Sequence, residues 1–272
     1  MSNVIDIDAL FEKFIRDYMK KNAGKYTEEE WESKIPELYS EFGATAMPEL
    51  DGKTPETYFE GVSGQDLVET FLSCLENGIS VSDFLCEAIV SSSDTEKPLL
   101  KVLVDSVDEE TVMYVLNMLS DKGTKAVLPQ CIEYILDGGV SVNVKDVCAE
   151  IISNYPDDVK DKLIRLYNDG GEEEKEYFVD ILSRCKQDDG VFAVLMDAFA
   201  THTDKMSYYA SLLARYGDDR ALPLLYEAIE TNVDYAEFTE LKFAIEKLGG
   251  EYNKKRDFSN DKYYKKIMNK KS

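Results

Sequence analysis

The sequence predicts an all-α protein in which successive helix pairs stack into a right-handed α-solenoid. Three observations support this fold class. Apolar residues recur at helical spacing in nearly every segment from residue 64 onward, for example at Tyr209, Leu212, Leu213 and Tyr216. Alternation of apolar and polar residues, the pattern of a half-buried strand, is missing over any long stretch. Finally, related segments return about every 30 residues, which is typical of a repeat protein.

The repeat is clearest when YGDDRALPLLYEAI (216–229) is aligned with CKQDDGVFAVLMDAF (185–199). The Asp pairs of the two segments then coincide, and so do their apolar positions. Asp157-Asp158 and the segment 122–135 extend the series, with offsets of 30, 31 and 33 residues between units. Because an isolated helix pair cannot bury its apolar face, we expect stacked pairs to share one core. The aligned apolar residues predicted to be buried are Leu222, Leu225, Ile229, Phe192, Leu195 and Phe199.

Capping signals place individual helices along the chain. Thr27 with Glu30 three residues on is a capping-box pattern, and Thr54 precedes Pro55 at a first helical position. In chain order, helices are predicted near 6–21, 28–42, 64–76, 80–91 and 96–105. Four pairs follow, 110–121 with 125–137, 143–153 with 157–168, 172–185 with 189–200 and 204–216 with 219–231, before a final helix at 235–248.

The Gly-Asp-Asp sequence at 217–219 contains residue types used in catalysis, but its recurrence indicates a turn. Gly217 suits the left-handed backbone position just past a helix end. Asp218 or Asp219 suits the cap of the next helix, where a carboxylate accepts from free amide hydrogens. A catalytic pair is expected once in a chain, whereas this pair returns in the equivalent turns of earlier units. We therefore predict no catalytic residues in this turn.

The segment YGDDRALPLLYEAIE resembles the HEAT-like repeats found in phycobilisome lyases and many bacterial scaffold proteins. Those repeats carry a Gly-Asp-x-Arg-Ala-x-Pro sequence at the turn and helix start. The matching residues are Gly217, Asp218, Arg220, Ala221 and Pro223, and GTKAVLP earlier in the chain matches in part. The resemblance covers residues 110–250. It implies an α-solenoid fold and, for the most part, protein binding as the activity.

Composition and the repeat together predict three segments. Residues 1–60 do not fit the repeat and are interpreted as an N-terminal helical cap that shields the first unit, with an independent binding module as the alternative. Residues 61–250 are the predicted HEAT-like solenoid, and residues 251–272 are a basic tail.

The tail differs sharply in charge from the rest of the chain. The tail has eight Lys/Arg against three acidic residues and so a net charge of +5. Because the whole chain has a net charge of −23, the preceding 250 residues carry −28. We expect the tail to dock on this acidic body because tethering gives it a high effective concentration. Its predicted anchors are Tyr263, Tyr264 and Ile267, with a partly helical stretch around 259–269. The alternative is that it reaches out to an anionic partner.

Several classes of site do not fit the composition. The one histidine, His202, precludes a multi-His metal site, and its position between two units is typical of a solvated linker residue. Phosphate-binding loops of the GxxxxGK[ST] or GxGxxG type do not occur. The five cysteines are widely spaced and form no CxxC pair, which indicates free thiols in a reducing cytoplasm. We therefore expect no metal and no cofactor.

The ends and the net charge limit the expected location and partners. The acidic start MSNVIDIDALFEKF predicts no signal peptide, and no apolar run approaches the ~18 residues of a membrane span. An acidic body repels phosphate backbones and anionic membrane surfaces, so neither nucleic acid nor membrane is an expected partner.

The function predicted from these features is a non-catalytic protein–protein interaction scaffold that binds a basic protein or peptide along an acidic groove. Glu133, Asp197 and Glu227 align on the outer side of three second helices, and Tyr226 and Glu230 lie beside the last of them. An ordinary solvated helix face is the alternative for these residues. The alternative function is an enzyme of the lyase-like or protein-modifying kind, with carboxylates and tyrosines as acids or bases.

Overall fold

A computed structural model describes residues 4–169, 171–231 and 233–271 of the chain, with side chains up to residue 268. Every regular element in these ranges is helical and none is a strand, which confirms the all-α prediction. The chain divides into two compact units, Met1–Gln130 and Cys131–Ser272. The predicted division at residues 60 and 250 stays a prediction.

The first unit consists of six helices and the start of a seventh. They are α1 (Ile7–Lys21), α2 (Glu28–Gly43), α3 (Gly64–Glu76), α4 (Asp83–Ser91), α5 (Glu96–Asp105), α6 (Glu109–Asp121) and the beginning of α7 (Leu128–Leu136). The capping box of Thr27 and Glu30 is present at the start of α2. Thr54 accepts from the backbone of Thr57 at a short 3-10 helix, Pro55–Thr57. The local capping signals therefore determine these helix starts.

An aromatic cluster joins the first two helices to α4 within this unit. Phe42 is fully buried, and Ile7 and Phe84 complete the buried part of the cluster. The Tyr39 ring stacks on Phe84 with centroids 5.3 Å apart, and the Phe11 ring meets Tyr39 edge-on at 4.9 Å. Residues 5–59 thus pack on a helix of the following segment through large apolar contacts.

The second unit continues α7 and adds eight helices. They are α8 (Val142–Ser153), α9 (Pro156–Asp169), α10 (Glu172–Leu182), α11 (Asp189–Thr201), α12 (Met206–Tyr216), α13 (Leu222–Ile229), α14 (Tyr235–Lys247) and α15 (Lys262–Lys271). All lie within a few residues of the predicted bounds. From α8 to α12, each helix packs against its successor. The helix α12 then packs mainly on α14, and α14 also packs on α13.

Aligned positions of α11 and α13 have matching burial. Leu195 and Leu225 are at most 1% exposed, and Phe199 and Ile229 at most 3%. The burial prediction is confirmed at these four positions. The two helices therefore contribute equivalent apolar faces, as expected for two copies of one repeat unit.

The prediction was wrong for Phe192 and Leu222, which are only half-buried. Both lie near the start of their helix, where smaller groups cover them. The guanidinium of Arg220 lies 4.3 Å from the centre of the Phe192 ring. Leu222 lies against Gly250, which has no side chain to cover it. A guanidinium or a glycine covers less of a neighbouring side chain than a packed helix does, so Phe192 and Leu222 keep more exposed surface.

The turn at 217–219 is structural, as its recurrence predicts. Gly217 ends α12 with φ of 80°, in the left-handed region. Asp218, not Asp219, is the cap: its carboxylate accepts from the Arg220 amide at 3.0 Å. Arg220 Nη2 donates to the same carboxylate at 2.6 Å, and Nη1 reaches Asp189 in the preceding turn at 2.8 Å. One arginine thereby joins two successive turns.

Further polar contacts join turns that lie about 30 residues apart in sequence. Lys160 Nζ pairs with the Asp188 carboxylate at 2.5 Å, and the Lys186 amide donates to Asp157 at 3.1 Å. The Tyr216 hydroxyl accepts from the Asp188 amide at 2.5 Å and donates to the Asp188 carbonyl at 2.9 Å. The partners in each of these contacts lie 28 or 29 residues apart in sequence, close to the period of the predicted repeat.

Leu225→Ala should lower the free energy of unfolding by about 2–5 kcal/mol, because it leaves a cavity in a packed core. Urea denaturation at neutral pH measures the loss. Leu224→Ala is the matched control on the same helix, and its half-buried side chain should give a smaller loss. Equal losses in the two variants would contradict the assignment of the core face.

Asp218→Asn should reduce the acid sensitivity of the fold. The Arg220 guanidinium holds the pKa of the Asp218 carboxyl below its usual value. Its stabilisation is therefore complete above the unfolded-state pKa of about 3.9 and is lost as the pH falls through the lower folded-state value. Unfolding free energies measured between about pH 6 and pH 2 should fall less steeply for Asp218→Asn than for the wild type. Asp219→Asn, one residue on, should keep the wild-type slope, and identical slopes for all three proteins would refute this role.

Candidate functional site

The predicted row on the second helices is exposed but largely engaged by the chain itself. Glu133 on α7 lies 3.4 Å from Lys162 Nζ. Asp197 on α11 accepts a hydrogen bond from the Tyr167 hydroxyl at 2.8 Å. Glu227 on α13 is exposed and makes no polar contact with the described residues. The row thus keeps one carboxylate of three free for a partner.

The two remaining predicted residues contact the C-terminal segment. The Tyr226 hydroxyl accepts from the Glu251 amide at 3.0 Å and donates to the Glu251 carbonyl at 3.1 Å. Glu230 pairs with Lys254 Nζ at 2.6 Å and accepts from the Tyr252 hydroxyl at 3.1 Å. An amine of the chain itself therefore occupies the place where a basic partner was predicted to bind Glu230.

The C-terminal segment also caps α13. Arg256 donates to the carbonyls of Ile229 at 2.7 Å and Thr231 at 2.8 Å, where the helix leaves carbonyls without internal partners. The guanidinium lies 5.3 Å from the centre of the Phe238 ring. A cation at this end also opposes the negative end of the helix dipole. Arg256 therefore fixes the segment through both charge and ring contact.

Aromatic contacts continue this docking up to α15. The Tyr264 and Phe258 rings lie 4.9 Å and 5.2 Å from the Tyr235 ring of α14. Of the predicted anchors, Tyr264 and Ile267 are half-buried, whereas Tyr263 is 53% exposed and covers little apolar surface. Tyr264, Ile267 and Phe258 therefore contribute apolar contacts to the docking.

A cleft of the second unit lies between α8, α10 and α12. Its volume is about 970 Å³, at the upper end of the range for ligand sites. One face of α8 forms a wall with Val142, Lys145, Asp146, Ala149 and Glu150, spaced i, i+3, i+4, i+7 and i+8. One face of α10 forms the other with Glu173, Glu176, Tyr177 and Asp180, at i, i+3, i+4 and i+7.

Cross-helix contacts hold the two walls in place. The Tyr177 hydroxyl donates to Asp146 at 2.8 Å, which joins α10 to α8. Arg215 Nη1 on α12 pairs with Asp180 on α10 at 2.7 Å. Glu176 is paired with Lys205, which precedes α12. Most of the charged groups in the cleft are therefore paired with other residues of the protein.

Two carboxylates in the cleft have no such partner among the described residues. Glu150 on α8 and Glu173 on α10 are exposed and form no ion pair with the described residues. Val142, 66% exposed, and Tyr208, 37% exposed, add apolar surface in the same cleft. Free carboxylates beside exposed apolar groups can bind a ligand that combines cationic and apolar parts.

The tyrosines of the cleft remain protonated at neutral pH. Burial and the hydrogen bond to Asp146 raise the pKa of Tyr177 to about 12. Burial, with the nearby carboxylates of Asp180 and Glu176, raises the pKa of Tyr208 to about 12. Their hydroxyls therefore serve as hydrogen-bond donors rather than as bases.

The sequence carries a signal for this cleft that the alignment of second helices does not use. Asp146, Tyr177 and Tyr208 stand at successive offsets of 31 residues. Polar or amphipathic residues thus repeat on the first helices with the period of the repeat. The recurrence of Asp146, Tyr177 and Tyr208 could therefore have indicated a second candidate surface.

His202 is not the solvated linker residue that was predicted. Its ring stacks on Tyr209 with centroids 5.1 Å apart, and its Nε2 lies 3.4 Å from a Glu172 carboxylate oxygen. Its side chain is 19% exposed, because the turn folds it back onto α12.

Deleting residues 254–272 should lower the melting temperature, and by more at low salt than at high salt. The deletion removes Arg256 from the end of α13 and the packing of Phe258 and Tyr264. Salt screens the attraction between basic tail and acidic body, while the apolar contacts persist. Thermal unfolding followed by circular dichroism at two salt concentrations measures both parts. Lys255→Ala, which removes an exposed lysine without a partner among the described residues, is the control. An unchanged melting temperature on deletion would show that the docking contributes no stability.

Three further findings bear on the site. Across the described ranges, no group of three or more His, Cys, Asp or Glu side chains is arranged to hold a metal ion. In the same ranges, none of the helices has the length and apolar character required to cross a bilayer. No protein-family model matches the chain, nor does any curated protein or solved structure.

Proposed function

We propose that the protein is a non-catalytic interaction scaffold that binds a basic protein or peptide segment. The observation that carries the proposal is the cleft between α8, α10 and α12, in which Glu150 and Glu173 lack a cationic partner among the described residues. Lysine or arginine side chains of a partner would supply the missing charges. Both carboxylates are exposed, so each remains hydrated until a partner arrives and costs little to keep free.

The apolar surface of the cleft favours a peptide over a simple cation. Val142 and Tyr208 expose side-chain area that a partner's apolar residues can cover. The Tyr208 hydroxyl can also donate to a peptide carbonyl, since its pKa is raised. The preferred ligand is thus an extended segment in which basic and apolar residues alternate.

The cleft is a better candidate than the predicted row on the second helices. In that row Glu133 and Asp197 have partners within the chain, as has the neighbouring Glu230, and a ligand would have to displace them. In the cleft the two free carboxylates require no displacement. The row stays a prediction, and Glu227 is its one unoccupied carboxylate in the described part of the chain.

The finer fold assignment belongs to the same proposal. Equivalent burial on α11 and α13, with turn contacts about 30 residues apart, supports a stack of HEAT-like helix pairs as the scaffold. Five unpaired cysteines support a reducing compartment, and we place the protein in the cytoplasm.

Binding of a fluorescein-labelled peptide of alternating lysine and alanine tests the proposal. Fluorescence anisotropy should show binding that weakens with salt, and little binding of the matched glutamate–alanine peptide. The double variant Glu150→Gln/Glu173→Gln should weaken binding of the lysine peptide by about fivefold, the effect of two exposed ion pairs.

Two further variants make the outcome specific. Glu240→Gln on α14, which removes an exposed carboxylate outside the cleft, should leave binding unchanged. Charge reversal of Glu133, Asp197 and Glu227 together should weaken binding strongly only if the partner lies along the second helices. Equal binding of the lysine and glutamate peptides would overturn the proposed function.

A further inference from the structure

Lys145 is a lysine of the cleft whose charge has no partner. It lies on the α8 wall and is only 6% exposed, so its aliphatic stem is packed between helices. Its side-chain amine forms no hydrogen bond or ion pair with any residue of the described ranges. A lysine held in this way keeps its amine in one place, because the stem has little freedom to move.

The other partly buried lysines in the described part of the chain are partnered. Lys122 Nζ donates to the carbonyls of Val90 at 2.9 Å and Ser92 at 2.6 Å. Lys160 is paired with Asp188 at 2.5 Å. The Lys145 ammonium, by contrast, has no partner among the described residues and reaches solvent in the cleft, where an anionic group of a ligand can replace water.

The other cations of the cleft are already engaged. Arg184, in the turn after α10, lies 3.2 Å from Asp180, and Lys205 is paired with Glu176. Among the described residues lining the cleft, Lys145 is therefore the cation available to an anionic group of a ligand.

We propose that Lys145 binds a carboxylate of the segment that occupies the cleft, so that the partner carries an acidic group among its basic residues. The inference rests on the proposed function, since it requires a peptide in the cleft. It assigns the ligand a charge pattern complementary to the unpaired groups: cations for Glu150 and Glu173, and an anion for Lys145.

The surrounding charges favour a carboxylate over a phosphate. The cleft has five acidic side chains, Asp146, Glu150, Glu173, Glu176 and Asp180, against three basic ones, Lys145, Arg184 and Lys205. A phosphate group brings a charge of about −1.5 to −2 into this acidic field, whereas a carboxylate brings a single charge that flanking lysines of the ligand can offset. The carboxylate can come from an aspartate or glutamate side chain or from a chain end.

Three labelled peptides distinguish these sources. The first has lysine and alanine with one central aspartate and an amidated end. The second replaces the aspartate by asparagine, and the third is the asparagine peptide with a free terminal carboxylate. The wild type should bind the first or the third about fivefold more tightly than the second, although both have a lower net positive charge. A preference for the first identifies a side-chain carboxylate, and a preference for the third a chain end.

Variants of Lys145 connect this preference to the residue. Lys145→Met keeps the packed stem and should abolish the preference while leaving binding of the asparagine peptide unchanged or tighter. Lys145→Arg keeps the charge and should retain the preference, which controls for damage to the fold, as does thermal unfolding of both variants.

The outcomes separate this inference from the function on which it rests. If the asparagine peptide binds and responds to Glu150→Gln/Glu173→Gln, but neither carboxylate improves binding, the Lys145 inference is wrong and the proposed function stands. A preference that survives in Lys145→Met would also overturn the inference. If none of the peptides binds, both are overturned.

Discussion

The second unit depends on contacts between residues that lie about 30 positions apart in the sequence, such as Lys160 with Asp188 and Tyr177 with Asp146. A single pair has an apolar face that it cannot bury alone. The aligned residues Leu195 with Leu225 and Phe199 with Ile229 are buried alike on α11 and α13. Polar contacts between equivalent turns, such as Lys160 with Asp188 and Arg220 with Asp189, fix the register. Each of these exposed contacts contributes little stability alone, so the apolar core supplies most of the energy and the polar contacts supply specificity.

The same spacing occurs in the first unit, with different chemistry. The Gly64 amide donates to the Asp94 carboxylate at 3.0 Å, and Lys122 reaches the carbonyls at the end of α4. A carboxylate capping a helix start and an ammonium capping a helix end satisfy the groups that every helix leaves unpaired. Because Asp94 and Lys122 come from segments about 30 residues away, these capping contacts form only when the helices pack in the right register.

The acidic residues of the protein fall into two groups, those with partners inside the protein and those without. Many carboxylates have internal partners: Asp218 holds a guanidinium, Asp146 a phenol and Glu230 an amine of the C-terminal segment. Such groups shape the surface but have limited capacity for a new ligand. A basic molecule can bind at low cost where carboxylates have no partner, and in the second unit Glu150 and Glu173 are two such groups in the same cleft. Charge count alone therefore describes the solubility and long-range field of the surface, whereas the pattern of pairing describes its specificity.

Local information determined the helices. Periodicity and cap signals such as Thr27 and Thr54 gave helix positions within a few residues, because a helix start depends on side chains only two or three residues away. The turn role of Gly217 and Asp218 followed from recurrence for the same reason.

Tertiary structure alone decided which polar groups are free. Lys145 and Lys160 look alike in sequence, yet one is buried without a described partner and the other holds Asp188. Likewise, the sequence assigned equal weight to Glu133, Asp197 and Glu227, and contacts from α9 engage the first two. The half-burial of Phe192 and Leu222 has the same origin. Helical periodicity states which way a side chain points, but its burial and its partner depend on what the next helix places opposite it, and that is set by distances between residues far apart in the chain.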